Sequence, residues 1–99
     1  MRIGYLILKS PHEQNPACTI GRLSDREDSV AVLVEDGVYH AIEEDAGKAL
    51  GGVVNEVLVS GEDLSARGFS ESDLKLGKAV SYGDIVECIM ERTERTITV

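Results

Sequence analysis

Ninety-nine residues with eighteen acidic against ten basic side chains, a formal charge of −8, make one small domain over residues 1–99 and exclude a multi-domain chain. A hydrophobic content of 42%, with no low-complexity tract or long Pro- or Ser-rich linker, excludes intrinsic disorder. The basic residues form no patch or stripe, so direct binding of a nucleic-acid phosphate backbone is not expected.

Residues 1–10 are apolar but short, carry Arg2 and Lys9, and run into Pro11 and polar residues instead of a small-residue cleavage site. They predict a strand over residues 2–8, buried on both faces, and not a signal peptide. No apolar run approaches the roughly 20 residues that span a bilayer. Two cysteines, Cys18 and Cys88, are too few for a disulfide framework and suit a reducing compartment. The expectation is a soluble cytoplasmic protein with no membrane partner.

The next element is a helix over residues 16–25. Asn15 is a good N-cap, Pro16 takes its preferred first helical position, and Ile20 and Leu23 supply an apolar stripe. Cys18 then falls near the third helical position. There the unpaired N–H groups and the positive end of the helix dipole favour a thiolate, and Arg22, one turn on, adds positive charge. A cysteine so placed can be a nucleophile, a sulfur carrier or a small packing residue. His12, in the preceding loop, could tune the thiolate if the loop folds back, or simply be exposed. Gly21 weakens the helix by about 1 kcal/mol relative to Ala. Val30 to Val34 predicts a second buried strand, so the first third of the chain reads as a βαβ unit.

After a turn at Glu35, Asp36 and Gly37, with Asp36 as N-cap, Val38, Ala41 and Ile42 predict a helix to Leu50 that Gly51 and Gly52 stop. On it, His40 is expected on the solvent or subunit face. A third strand is predicted over Glu56 to Ser60. Ser60 and Asp63 then have capping-box spacing, and a short helix from Asp63 to Ala66 ends at Gly68 with Arg67 in its last turn. Phe69 reads as an anchor in the core or in an interface.

Ser70 to Asp73 repeats the capping pattern before a brief strand at Lys78 to Ser81. A last helix from Tyr82 or Gly83 to Thr93 pairs Ile85 with Ile89 and Val86 with Met90, with Cys88 as core packing. Thr96 to Val99 closes as an edge strand. The sum is a small three-layer α/β/α domain with a mostly parallel sheet of four or five strands. Its chemistry belongs at the strands' carboxyl ends, in the loops at residues 10–15, 35–37, 60–63 and 81–84.

The Gly-x-Gly-x-x-Gly loop, the phosphate-loop Lys-Ser/Thr and the Gly-x-Ser-x-Gly elbow are all missing. Two isolated histidines without matching cysteine spacing make no zinc motif. No cofactor or metal is implied. The acidic runs at residues 43–45 and 62–63 read as solvated surface, and the scattered aromatics form no base-stacking platform.

Four segments in order, residues 6–11 (LILKSP) with Glu13 and Asn15, 32–41 (VLVEDGVYHA), 58–69 (LVSGEDLSARGF) and the Val80, Ser81, Tyr82 stretch, together resemble the DsrE/DsrF/DsrH superfamily, most closely its DsrH (TusB) branch. The resemblance implies a DsrEFH-like fold and a cytoplasmic sulfur-relay subunit that assembles with DsrE/TusD-like and DsrF/TusC-like paralogues, or with itself when isolated. It further implies that Cys18 carries a persulfide bound for 2-thiouridine formation in tRNA or for sulfur oxidation. Arg22 and His12 would tune that thiolate. Asn15, Asp36, Gly37, Asp63, Arg67, Gly68 and Phe69 would shape loops and an interface. Two other readings stand beside it: an architectural or docking subunit without chemistry, and a regulator that binds a small ligand in the strand-end crevice.

Overall fold

The computed structural model describes residues 2–13 and 15–99. Its scaffold is a five-stranded sheet of β1 (Ile3–Ile7), β2 (Ser29–Leu33), β3 (Glu56–Ser60), β4 (Lys78–Val80) and β5 (Arg95–Thr98). Every pairing is parallel, and the spatial order is β4-β3-β2-β1-β5. The expected strands are therefore all present, and the sheet has five of them.

That order determines where the helices go. From β1 to β4 the chain steps one strand at a time in one direction, so right-handed crossovers stack the connecting helices on one face. These are α1 (Pro16–Leu23), α2 (Tyr39–Ile42), α3 (Glu44–Gly51) and α4 (Gly61–Ala66). To reach β5 from β4 the chain must return across the whole sheet on the opposite face. It does so with α5 (Tyr82–Glu87), which continues as a π-helical turn over Cys88–Arg92.

Strand alternation divides the core accordingly. Ile3, Tyr5, Ile7, Ala31, Leu33, Val57 and Val59 face α1 to α4, where Ile20, Val38, Ala41, Leu50 and Leu64 close over them. On the other face the buried cluster is small: Val30, Leu58 and Cys88, with Val80 against it.

The helix expected from Asp36 to Leu50 is broken. Residues Glu35–Val38 form a 3-10 turn, and Glu43 is extended between α2 and α3. The reason is geometric. Ala41 and Leu50 are both buried in the main core, yet nine residues are about two and a half helical turns, which would set them on opposite sides of one continuous helix. The break at Glu43 brings both to the sheet. Asp36 consequently lies inside the 3-10 turn and is not an N-cap.

One other expectation is corrected. Asn15 occupies the N-cap position of α1, but its side chain makes no capping hydrogen bond. Of the two pairs on the last helix, Ile85 is buried and Ile89 partly buried, whereas Val86 and Met90 are exposed.

Candidate functional site

Because all strands run the same way, the segments after β1, β2, β3 and β4 gather at one edge of the sheet. These are the four loops expected from the sequence; Gln14, in the first, lies outside the described residues. Polar contacts fasten them to one another.

Asp63 is the centre of that edge. It follows β3 in the first turn of α4, where its N–H donates to Ser60 Oγ at 3.2 Å. Its carboxylate does not close the capping box. Instead Oδ2 accepts the Glu35 N–H at 2.8 Å and Oδ1 accepts the Tyr82 hydroxyl at 2.7 Å. One carboxylate thus ties the loop after β2 and the start of α5 to the end of β3. Burial alone would raise the Asp63 pKa, but the hydrogen bonds from Glu35, Tyr82 and Ser60 and the nearby Arg67 charge together outweigh it and hold the carboxyl below its ordinary value. The Tyr82 phenol moves the other way, raised chiefly because Asp63 accepts its proton in a hydrogen bond.

Arg67 extends the network. Its Nε and Nη2 approach Asp36 Oδ1 at 3.0 and 2.9 Å, and its Nη1 donates to the Asp63 backbone carbonyl at 3.2 Å. The turn it secures is tight: Glu35 has φ of 50°, a left-handed conformation uncommon outside glycine. At Gly37 an added Cβ would collide with the Ile7 carbonyl oxygen, so only glycine lets this turn sit on the end of β1. Gly68, with φ of 82°, ends α4 as expected. Phe69 then folds back onto the main core with its ring edge-to-face against Tyr39, centroids 5.7 Å apart. Asp36, Gly37, Asp63, Arg67, Gly68 and Phe69 therefore form one connected structure.

The other half of the site is α1. Cys18 is exposed at its third position, at the same sheet edge. Beside it, a cleft of ≈ 260 Å³ is lined by Pro11, Asn15, Pro16, Ala17, His40 and the Asp45–Leu50 side of α3. Cys18 is not among its lining residues. The sulfur is exposed and lies outside that cleft. Arg22 is exposed one turn later.

Of the two histidines, His12 is exposed, as one of its readings had it, and His40 departs from expectation. His12 is 80% exposed in its side chain and pairs with Glu43 Oε1 at 3.2 Å, which ties the loop after β1 to the α2–α3 break. His40, expected on a solvent or subunit face, is buried, and its Nε2 lies 3.0 Å from the Lys9 carbonyl. That nitrogen must carry the proton, since a carbonyl only accepts. Burial lowers the His40 pKa, against the opposing effects of the Lys9 carbonyl and Glu43.

Cys88 has the opposite character to Cys18. It is buried in the π-helical turn, and burial pushes its thiol up, with Arg92 countering, Glu56 adding to the rise and Arg2 countering. Such a thiol is inert.

Sequence reading missed the roles of Tyr82 and the Glu35 N–H in joining three loops. The capping-box spacing found Ser60 and Asp63, but the pairing of Asp63 with residues 28 and 19 positions away has no local signal.

A family model described as DsrH like protein matches residues 9–95. The solution NMR structure of protein Tm0979 from Thermotoga maritima is similar, with a TM-score of 0.61 and 26% identity, covering 85% of this chain and 87% of that one. No curated protein matches.

Proposed function

The chain belongs to the DsrH-like family, and on that premise we propose that it is a sulfur-carrier subunit of a cytoplasmic relay, with Cys18 holding the sulfur in transit. The observation that supports this reading most is the exposed Cys18 sulfur in the first turn of α1, at the carboxyl edge of a parallel sheet and outside the neighbouring cleft. A relay between proteins needs a thiol that another protein's sulfur can reach.

The exchange balances without a cofactor. The Cys18 thiolate attacks the outer sulfur of a donor persulfide; the new S–S bond forms as the donor's own S–S bond breaks, and the donor leaves as a thiolate. An acceptor thiolate then attacks the outer sulfur on Cys18, and Cys18 leaves as the thiolate that began the cycle. No electrons are gained or lost overall. Cys18 stands in the first turn of α1, and Arg22 is exposed on the same helix. In this reading the Asp63–Arg67–Asp36 network keeps the loops in place and does no proton transfer. The donor and acceptor are sulfur-bearing proteins, with DsrE/TusD-like and DsrF/TusC-like paralogues as the assembly partners and 2-thiouridine formation in tRNA or sulfur oxidation as the outlet.

The test is incubation with a persulfide donor, alone and with the assembled partners, followed by intact mass and alkylation mapping. Wild type and Cys88→Ser gain one sulfur on Cys18, and Cys18→Ser gains none. Transfer by Cys18→Ser at the wild-type rate within the complex overturns the carrier role. That result would favour the second reading, a docking subunit without chemistry, which the exposed Tyr82, Val86 and Met90 support.

A further inference from the structure

The cleft between α1 and α3 is lined by two kinds of residue. Pro11, Pro16, Ala17, Ala46, Ala49 and Leu50 make its walls apolar, and its polar residues are His40, Asn15 and Asp45. His40 is buried, whereas Asn15 and Asp45 are exposed. The volume of ≈ 260 Å³ is below the roughly 300–1,000 Å³ of sites that take drug-sized ligands. It suits a short chain and not a nucleotide.

Each polar residue has an acceptor to spare. His40 Nε2 keeps its proton on the Lys9 carbonyl, so Nδ1 of the neutral ring is a lone pair. Burial, by lowering the His40 pKa, keeps the ring in that neutral form. Among the described residues Nδ1 has no hydrogen-bond partner, although His40 is only 2% exposed, and a buried acceptor is ordinarily satisfied. The Asn15 side chain makes no capping bond. Asp45 is in neither a hydrogen bond nor an ion pair among the described residues. It is also the one carboxylate among the described residues that line the cleft, and no lysine or arginine stands with it there.

We infer that this cleft binds a primary ammonium group carried on a short aliphatic stem. An ammonium has three donors and no acceptor, which matches His40 Nδ1, the Asn15 side-chain carbonyl and the Asp45 carboxylate. The methylenes of the stem lie along the apolar walls, as the stems of long cationic side chains do. Charge selects the same class, because a chain of formal charge −8 draws cations toward it. An anion would meet Asp45 with no basic side chain to offset it. The first-turn N–H groups of α1 and α3 are the feature that favours an anion, so an anionic probe belongs in the test. The stem is borne either by a free amine or by a lysine of a protein seated beside Cys18, which follows Ala17 on α1. The site makes no use of the Cys18 sulfur, so the inference goes beyond the carrier reading and does not rest on it.

Titration of the isotope-labelled full chain with butylammonium chloride, at neutral pH and constant ionic strength, tests it. The readouts are the NMR shifts of the Ala17, Ala46 and Ala49 amides and of the His40 ring nitrogens. Wild type shows saturable shifts at these positions with a Kd of about 1–10 mM, as for a ligand of a few heavy atoms. The His40 Nδ1 resonance moves with them, since its lone pair accepts a donor. Asp45→Asn keeps the shape, removes the charge and weakens binding by about 5-fold or more. Shifts that do not saturate by about 100 mM overturn the inference. So does binding of butyrate or n-butanol as tight as that of butylammonium, or a Kd unchanged by Asp45→Asn. Nα-acetyl-lysine methylamide separates the two sources: equal affinity assigns the cleft to a lysine side chain, and binding by butylammonium alone assigns it to free amines. The probes contain no sulfur, so failure here leaves the carrier reading untouched, and loss of the carrier role leaves this binding unchanged.

Discussion

The face of the sheet under α1 to α4 and the face under α5 are made by the same five strands, yet they are built differently. The first buries Tyr5, Ile7, Leu33, Leu50 and Leu64 in one continuous cluster; the second holds a smaller cluster of Val30, Leu58 and Cys88, with Val32 and Ile85 buried beside it. Each face has one cysteine, and the contrast is repeated there. Cys18 stands outside the thick layer, and Cys88 lies under the thin one. A thiol's chemistry follows from access and charge, so residues of one type acquire opposite characters from the layer that carries them.

Four measurements sharpen or break this contrast. The largest effect is in thiol reactivity. Native-state alkylation followed by mass spectrometry should label Cys18 faster than Cys88 by about a thousandfold, since Cys88 reacts only after sub-global opening. Equal rates would mean the thin layer gives no protection.

Next is core truncation, read by urea unfolding. Leu33→Ala, in the thick layer, should cost about 3 kcal/mol, within the range for buried Leu→Ala. Cys88→Ala removes one sulfur and should cost nearer 1 kcal/mol. A reversed order would place the stability of the domain in the thin layer.

Third comes the loop network at the sheet edge. Asp63→Ala leaves the Glu35 N–H and the Tyr82 hydroxyl without their protein acceptor and should lose about 0.5–1.5 kcal/mol. Because the Asp63 pKa is lowered on folding, its share of stability is present above its unfolded value of 3.8 and disappears as the pH falls through the folded value. Wild type should therefore lose its advantage over Asp63→Ala in strong acid.

The smallest effect is that of His40. Its pKa is lowered in the folded protein, so below its ordinary value of 6.5 the unfolded chain binds the proton first and stability falls until the folded value is passed. Gln at position 40 can still donate to the Lys9 carbonyl but cannot titrate. Thermal unfolding of His40→Gln should show a flatter pH dependence below 6.5 than wild type; an identical slope would assign that dependence to other groups.

Much of this was legible in the chain itself. The strands at 3–7, 29–33 and 56–60 are apolar runs bounded by turn residues, and a parallel sheet needs no more local information than that. Pro16 alone places the start of α1 and hence Cys18 in its first turn. Gly68 ends α4 through its own backbone freedom. Each is a local property, written in a few adjacent residues.

What only the tertiary structure decided is which neighbour each polar or apolar group meets. His40 is buried because Lys9, 31 residues earlier, brings its carbonyl to the same spot. The helix breaks at Glu43 because Ala41 and Leu50 must reach one sheet. The Asp63 carboxylate leaves its capping box for Glu35 and Tyr82, which strand order delivers to it. Val86 and Met90 share the spacing of Ile85 and Ile89, and periodicity treats the two pairs alike. The direction in which α5 crosses the sheet buries Ile85 and leaves Val86 and Met90 outside. Periodicity specifies a face relative to the helix axis; the topology of the sheet determines where that face points.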